Sequence, residues 1–183
     1  MIPPFDHNSV LPPIYNGAPS DQYAQSPFNC DIMEFCVRFS ITPVRCSILK
    51  GFLQFRLDCV ANHIKGFQWI DGSFVEDIER IESRDPHDID VATFCVLSDA
   101  SEEARIMTGF PEFVDFKLSK VKYSVDHYPV VINQNPLLTV KQTKYWTMLF
   151  SHSRRGVWKG MLQIPLYDTD DRDKEALSYL NSL

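Results

Sequence analysis

Asp88 and Asp90 stand two residues apart in the run DIDVATFCVL. In an extended strand such residues share a face, so both carboxylates project to one spot while Ile89 and Val91 enter the opposite layer. Two like charges that close are costly unless a cation or hydrogen-bond donors offset their repulsion. Hard oxygen ligands suit magnesium, which keeps bonds to water and substrate phosphate as well. Upstream lies Gly72-Ser73, separated from Asp88 by residues 74–87. A Gly-Ser turn between strand and helix lets the backbone approach a phosphate and aims helix N-terminal amides at it, with the serine hydroxyl as a further donor. Taken together, the two features point to magnesium-dependent chemistry on a nucleoside triphosphate. Taken alone, Asp88 and Asp90 are a solvated strand entrance after Pro86.

A third acid follows in VKYSVDHYPVVI, residues 121–132, where strand alternation puts Lys122, Ser124, Asp126 and Tyr128 on one face. If this strand neighbours the Asp88 strand, Asp126 completes a carboxylate triad able to hold two magnesium ions. One ion would activate an attacking hydroxyl and the other stabilise leaving pyrophosphate. Asp126 is also a candidate for taking the proton, and Asp115 is the reserve acid. Arg154, Arg155, Lys159 and Lys122 are candidate phosphate clamps, arginine through its planar fork and lysine as a point charge; the alternative is an ordinary solvated basic loop. His63, His127 and His152 show no metal-ligand spacing with cysteine, and His87 reads as an exposed turn residue, which argues against a zinc enzyme.

The elements that must position these groups are legible in outline. Thr42-Pro43 is a helix-start signal, and Val44, Ile48, Phe52, Phe55 and Cys59 form one stripe of a long core-facing helix. Phe67–Ile70 reads as a strand that stops at Asp71-Gly72-Ser73, and Phe74–Glu82 as a helix. Asp88–Leu97, residues 121–132 and Gly160–Leu166 read as further strands, with helices near Ser101–Met107, Leu137–Phe150 and the C-terminus. Pro129 suggests a sheet edge or a bulge. The expectation is an α/β (α+β) fold, a small mixed sheet flanked by helices. Residues 1–28, rich in proline, form an arm, and residues 29–183 one domain.

Composition narrows the function classes. The 183 residues are 44% hydrophobic and 13% aromatic, enough apolar surface for a packed core. A net charge of −6 argues against broad DNA or anionic-membrane binding, leaving room for a local basic pocket. Five cysteines without a CxxC pair suggest neither a disulfide framework nor a zinc knuckle. The absence of a signal-like start or a long apolar run makes a cytoplasmic location the expectation.

The order strand, Gly-Ser, helix, Asp-x-Asp on a strand and a later third Asp resembles the DNA polymerase β-like nucleotidyltransferase superfamily. More closely, GFQWIDGSFVEDIE, RDPHDIDVATF, KYSVDHYPV, YWTMLFSHSR and KGMLQI resemble a family of uncharacterised bacterial proteins assigned to it, over about Pro3 to Leu166. The resemblance implies transfer of a nucleotidyl group from an NTP, such as ATP, to a hydroxyl. It puts Gly72 and Ser73 on phosphate and Asp88, Asp90 and Asp126 on Mg2+. The acceptor stays open between protein, RNA and a small molecule, and analogy alone suggests a toxin-antitoxin or antiviral, phage-defence setting. The alternative is a catalytically inactive nucleotide- or protein-binding module of the same fold, with a protein partner or a homo-oligomer. It is motivated by Glu76 beside the Gly-Ser turn and by the aromatic, Pro-rich arm.

Overall fold

Thr42 does start a helix: its hydroxyl accepts from Arg45 N at 3.2 Å, and Pro43 fills the first turn, where no amide partner is needed. The computed structural model describes residues 1–183, apart from the side chain of Ala100. Its strands are β1 (Phe28–Asn29), β2 (Lys65–Asp71), β3 (Ile89–Val96), β4 (Val125–Val131) and β5 (Leu162–Leu166). Its helices are α1 (Ile32–Phe39), α2 (Pro43–Ala61), α3 (Ile78–Glu82), α4 (Ala100–Gly109), α5 (Phe116–Tyr123), α6 (Pro136–Phe150) and α7 (Asp171–Asn181). The strands form one mixed sheet in the order β1-β5-β2-β3-β4. This is the expected α+β architecture, and Pro129 lies on an edge strand, β4, where a missing amide is tolerated.

The two faces of the sheet bury different things. On the back, Ile89, Val91 and Cys95 of β3 join Ile48, Phe52, Phe55 and Cys59 of α2 and Ala176 and Leu180 of α7 in the main core. Val44, the first residue of the α2 stripe, lies outside it at 40% exposure. A buried polar chain crosses this face: Arg56 binds Asp173 and donates to Gln68, Gln68 donates to Thr93, and Thr93 meets His127 Nε2 at 2.8 Å. Burial holds the His127 imidazole neutral, its pKa pushed down to about 3. On the front, Trp69, Ala92, Phe94 and Val130 pack with Trp146 and Phe150 of α6. Trp146 is buried in this layer, whereas its neighbour Tyr145 is 58% exposed.

The N-terminal arm lies on the domain. Ile2, Leu11 and Phe28 enter the main core, Val10 bridges to Glu76, and Gly160 N donates to Leu11 O at 2.7 Å.

Two segments differ from the sequence expectation. Residues 74–82 do not form one helix. A single 3-10 turn, Ser73–Val75, gives way to extended backbone at Glu76 before the five-residue α3. The cause is the fully buried Arg45, whose guanidinium donates to Phe74 O at 2.6 Å and Glu76 O at 2.8 Å, carbonyls a continuous helix would use internally. Residues 116–123 form α5 rather than the start of a strand. Asp115 caps it, its side chain accepting from Lys117 N, and Ser124 ends it in a left-handed conformation with φ 57°. Alternation in VKYS mimics a strand, but Tyr123 is buried while Val121 is 88% exposed. Gly51 on α2 lets the end of α5 dock, because a Cβ there would collide with Tyr123 O.

Candidate functional site

Strand register builds an acidic row. β2 runs antiparallel to β3 with Asp71 opposite Asp90, and β3 runs parallel to β4 with Asp90 opposite Asp126. Residues directly opposite in a sheet share a face, so three adjacent strands each present one aspartate at the same level of the front face. Asp88, two residues before Asp90, lies just ahead of β3. The pairing of Asp126 with the Asp88-Asp90 strand, conditional in the sequence, is therefore present, and Asp71 joins the row. Asp115 takes no part, since its carboxylate caps α5.

Two lysines hold the row at its ends. Lys159 lies 3.0 Å from Asp71 Oδ1, donates to Glu76 Oε1 at 2.6 Å and to Gly72 O at 3.0 Å, and is 1% exposed. Lys120, 48% exposed, reaches Asp88 Oδ2 at 2.5 Å and Asp126 Oδ2 at 3.3 Å. Lys159 is thus no free phosphate clamp: it is buried between two carboxylates and donates to Glu76 and to the Gly72 carbonyl. Lys122, expected on the Asp126 face, sits on α5 and pairs with Glu112 at 2.8 Å, with Asp58 at 3.8 Å. The helix rather than a strand sets its direction, and it leaves the site.

Charge in the row is poorly compensated. Among the described residues, Lys120 and Lys159 alone form ion pairs within 4 Å with the group Asp71, Glu76, Asp88, Asp90 and Asp126. Burial, then repulsion from Asp88 and Asp126, pushes the Asp90 carboxyl up to about 6. Burial likewise pushes Asp71 up to about 7, because Lys159 is shared with Glu76 and offsets only part of the cost. Burial also works against the Lys159 charge, but Asp71 and Glu76 outweigh it and raise its pKa. At the other end the hydrogen bond to Asp88 raises Lys120. Asp126 Oδ1 is buried without a hydrogen-bond partner. Asp71 Oδ1 also lacks one, lying near Lys159 Nζ but out of hydrogen-bonding line.

Gly72 is required where the row meets the turn. Its φ is 81°, and a Cβ at this position would run into Asp90 Oδ2. Beside it opens a cleft of about 200 Å³. Asp71, Gly72, Ser73 and Asp90 line one side, with Arg84, His152, Arg154 and Arg155 among its other walls. Ser73 opens only a three-residue turn, so the expected helix N-terminal amides give way to arginines as the cationic groups near the turn. Arg155 also donates to Asn8 O at 3.2 Å, tying the arm to this wall. Glu76 lines the cleft as well, but it accepts from the buried Lys159 at 2.6 Å, so the acid beside the Gly-Ser turn is paired.

Among the described residues, no set of three or more His, Cys, Asp or Glu side chains is drawn together tightly enough to hold a metal ion as it stands. The donors nevertheless fit magnesium in kind. They are hard carboxylate oxygens, one of them buried and unpartnered, grouped around Asp90, whose carboxyl is pushed up by burial and then by its acidic neighbours. Asp88, Asp90 and Asp126 would hold the ion, with Lys120 leaving Asp88 and Asp126.

Sequence reasoning missed Asp71, Lys120 and Arg84. Asp71 had a signal, since Phe67, Trp69 and Asp71 alternate onto one face, but it read as part of the turn. Lys120 was hidden by reading its neighbours as strand, and Arg84 by the Pro86 loop that only folding brings to the cleft.

The family model described as a family of unknown function (DUF6932) matches residues 3–165, and the chain belongs to that family. No curated protein and no solved structure matches the chain. Among the described residues, no helix is long and apolar enough to cross a membrane.

Proposed function

We propose that this member of the family is a metal-dependent nucleotidyltransferase that moves a nucleotidyl group from an NTP to a hydroxyl acceptor. The observation that carries the reading is the aspartate row across β2, β3 and β4 beside an arginine-walled cleft. Acids and cations meet there, with Arg84 already paired to Glu82 at 2.7 Å. Arg154 and Arg155 suit the triphosphate, and the carboxylates suit the cation that accompanies it. Magnesium bound to Asp88, Asp90 and Asp126 would supply charge neutralisation at the phosphates. In the transfer the acceptor oxygen bonds to the α-phosphorus, the bond to the bridging oxygen breaks and pyrophosphate leaves. The acceptor's proton passes to Asp126 Oδ1, which has no other hydrogen-bond partner. Gly72 and Ser73 form the edge along which phosphate passes between the cleft and Asp90.

A second reading, a catalytically inactive nucleotide- or protein-binding module, draws on the lysines that already engage Asp71, Asp88 and Asp126. Incubation with Mg2+ and each NTP, with candidate protein, RNA and small hydroxyl acceptors, separates the two. Pyrophosphate release that disappears in Asp90→Asn and Asp126→Asn supports transfer. Tight nucleotide binding with no release on any acceptor supports the module, and absence of nucleotide binding overturns the transferase and the nucleotide-binding form of the module.

A further inference from the structure

Lys120 differs from every other cation near the row. Its ammonium spans two carboxylates from different strands, Asp88 Oδ2 at 2.5 Å and Asp126 Oδ2 at 3.3 Å, yet its side chain remains 48% exposed. It rises from the last turn of α5, whose end is fixed against α2 at Gly51 and turned into β4 by Ser124. The backbone is therefore held while the flexible stem can swing to water at little cost. Asp126 keeps a second oxygen buried and unpartnered, so the lysine satisfies only part of the acceptor capacity on offer. Asp90, between the two bridged acids, is one the lysine does not reach within 4 Å among the described residues.

We infer that Lys120 is a tethered counter-ion that holds Asp88 and Asp126 in place and yields both to a divalent cation. The inference deepens the metal half of the proposed function and rests on it; it needs no turnover. Its role is positioning in the metal-free chain: the lysine keeps like charges on neighbouring strands from splaying apart until a divalent cation takes both acids and displaces it. The lysine's exposure makes the exchange feasible, because a pair whose cation stays half in water is worth less than a factor of about ten in binding.

The test is titration of Mn2+ into the wild-type chain, Lys120→Met and Lys120→Arg by calorimetry, with thermal unfolding of each protein with and without saturating Mn2+. Lys122→Met is the control, since that lysine pairs with Glu112. Expected is roughly three- to tenfold tighter Mn2+ binding by Lys120→Met, and wild-type-like or weaker binding by Lys120→Arg, with Lys122→Met unchanged. The melting temperature of Lys120→Met should fall below wild type without Mn2+ and match it when Mn2+ saturates. Affinity unchanged or weakened in Lys120→Met, a stability gap that persists at saturation, or absence of Mn2+ binding in both proteins would each overturn the inference. Failure of pyrophosphate release beside the expected Mn2+ results would sink the transferase reading alone.

Discussion

The two ends of the aspartate row are built from the same ingredients and behave differently. At the β2 end, Lys159 is sealed at 1% exposure between Asp71, Glu76 and the Gly72 carbonyl. At the β4 end, Lys120 bridges Asp88 and Asp126 while nearly half its surface meets water. A sealed ammonium between buried acids is part of the fold, because removing it strands buried charge. An exposed one contributes little stability and can be exchanged. The difference separates structure from function within one row: the Asp71 end anchors the turn at Gly72, and the Asp126 end keeps its ligands available.

The sharpest way to break that contrast is Lys159→Met, which leaves Asp71 and Glu76 buried without a cation. A loss of about 3–5 kcal/mol in urea unfolding at neutral pH is expected, against less than about 1 kcal/mol for Lys120→Met. Equal losses would erase the distinction between anchored and exchangeable ends. Next in size is Gly72→Ala, which adds left-handed strain to a collision with Asp90 Oδ2. It should cost about 2 kcal/mol or more, and Asp90→Ala in the same chain should restore part of it. A cost that is the same in both backgrounds would mean the turn and the row are independent.

Asp90→Asn removes a carboxyl whose folded pKa is pushed up to about 6. It should stabilise the metal-free protein at pH 7 by on the order of 1–3 kcal/mol. The sign of the pH dependence follows from Asp71 and Asp90 together. Their folded pKa values, about 7 and about 6, lie above the ordinary 3.8. The folded chain therefore binds more protons between about pH 4 and 7, and the stability from these two groups is present below that window and lost as pH rises through it. Denaturation curves across the window should flatten in Asp90→Asn and flatten further with Asp71→Asn. Curves with unchanged slope would show that burial of the row is not what raises these acids.

Much of this was legible in the residues. The Asp88-Asp90 spacing, the Thr42-Pro43 helix start and the apolar stripe from Ile48 to Cys59 depend on local periodicity, which a chain displays directly. What failed depended on partners distant in sequence or on caps that override a local alternation. Arg45 draws off the carbonyls of Phe74 and Glu76 and so replaces a helix with a turn. Lys122 and Lys120 exchange roles because the α5 cap at Asp115 and the left-handed Ser124 set the direction of the chain. Asp71 belongs to the row only through its register with Asp90, and neither strand alone specifies that pairing. The same limit applied to Lys159, whose basic loop reads as solvent-facing until the fold delivers it between two acids.

The central claim is that Asp88, Asp90 and Asp126 form a divalent-cation site beside the triphosphate cleft. Its most direct test is calorimetric titration of Mn2+ into the wild-type chain and into Asp90→Asn and Asp126→Asn, each with a non-hydrolysable NTP analogue present. Wild-type binding weakened more than tenfold in both variants is the predicted result. Binding equally tight in all three proteins, or absent from the wild type, would contradict it.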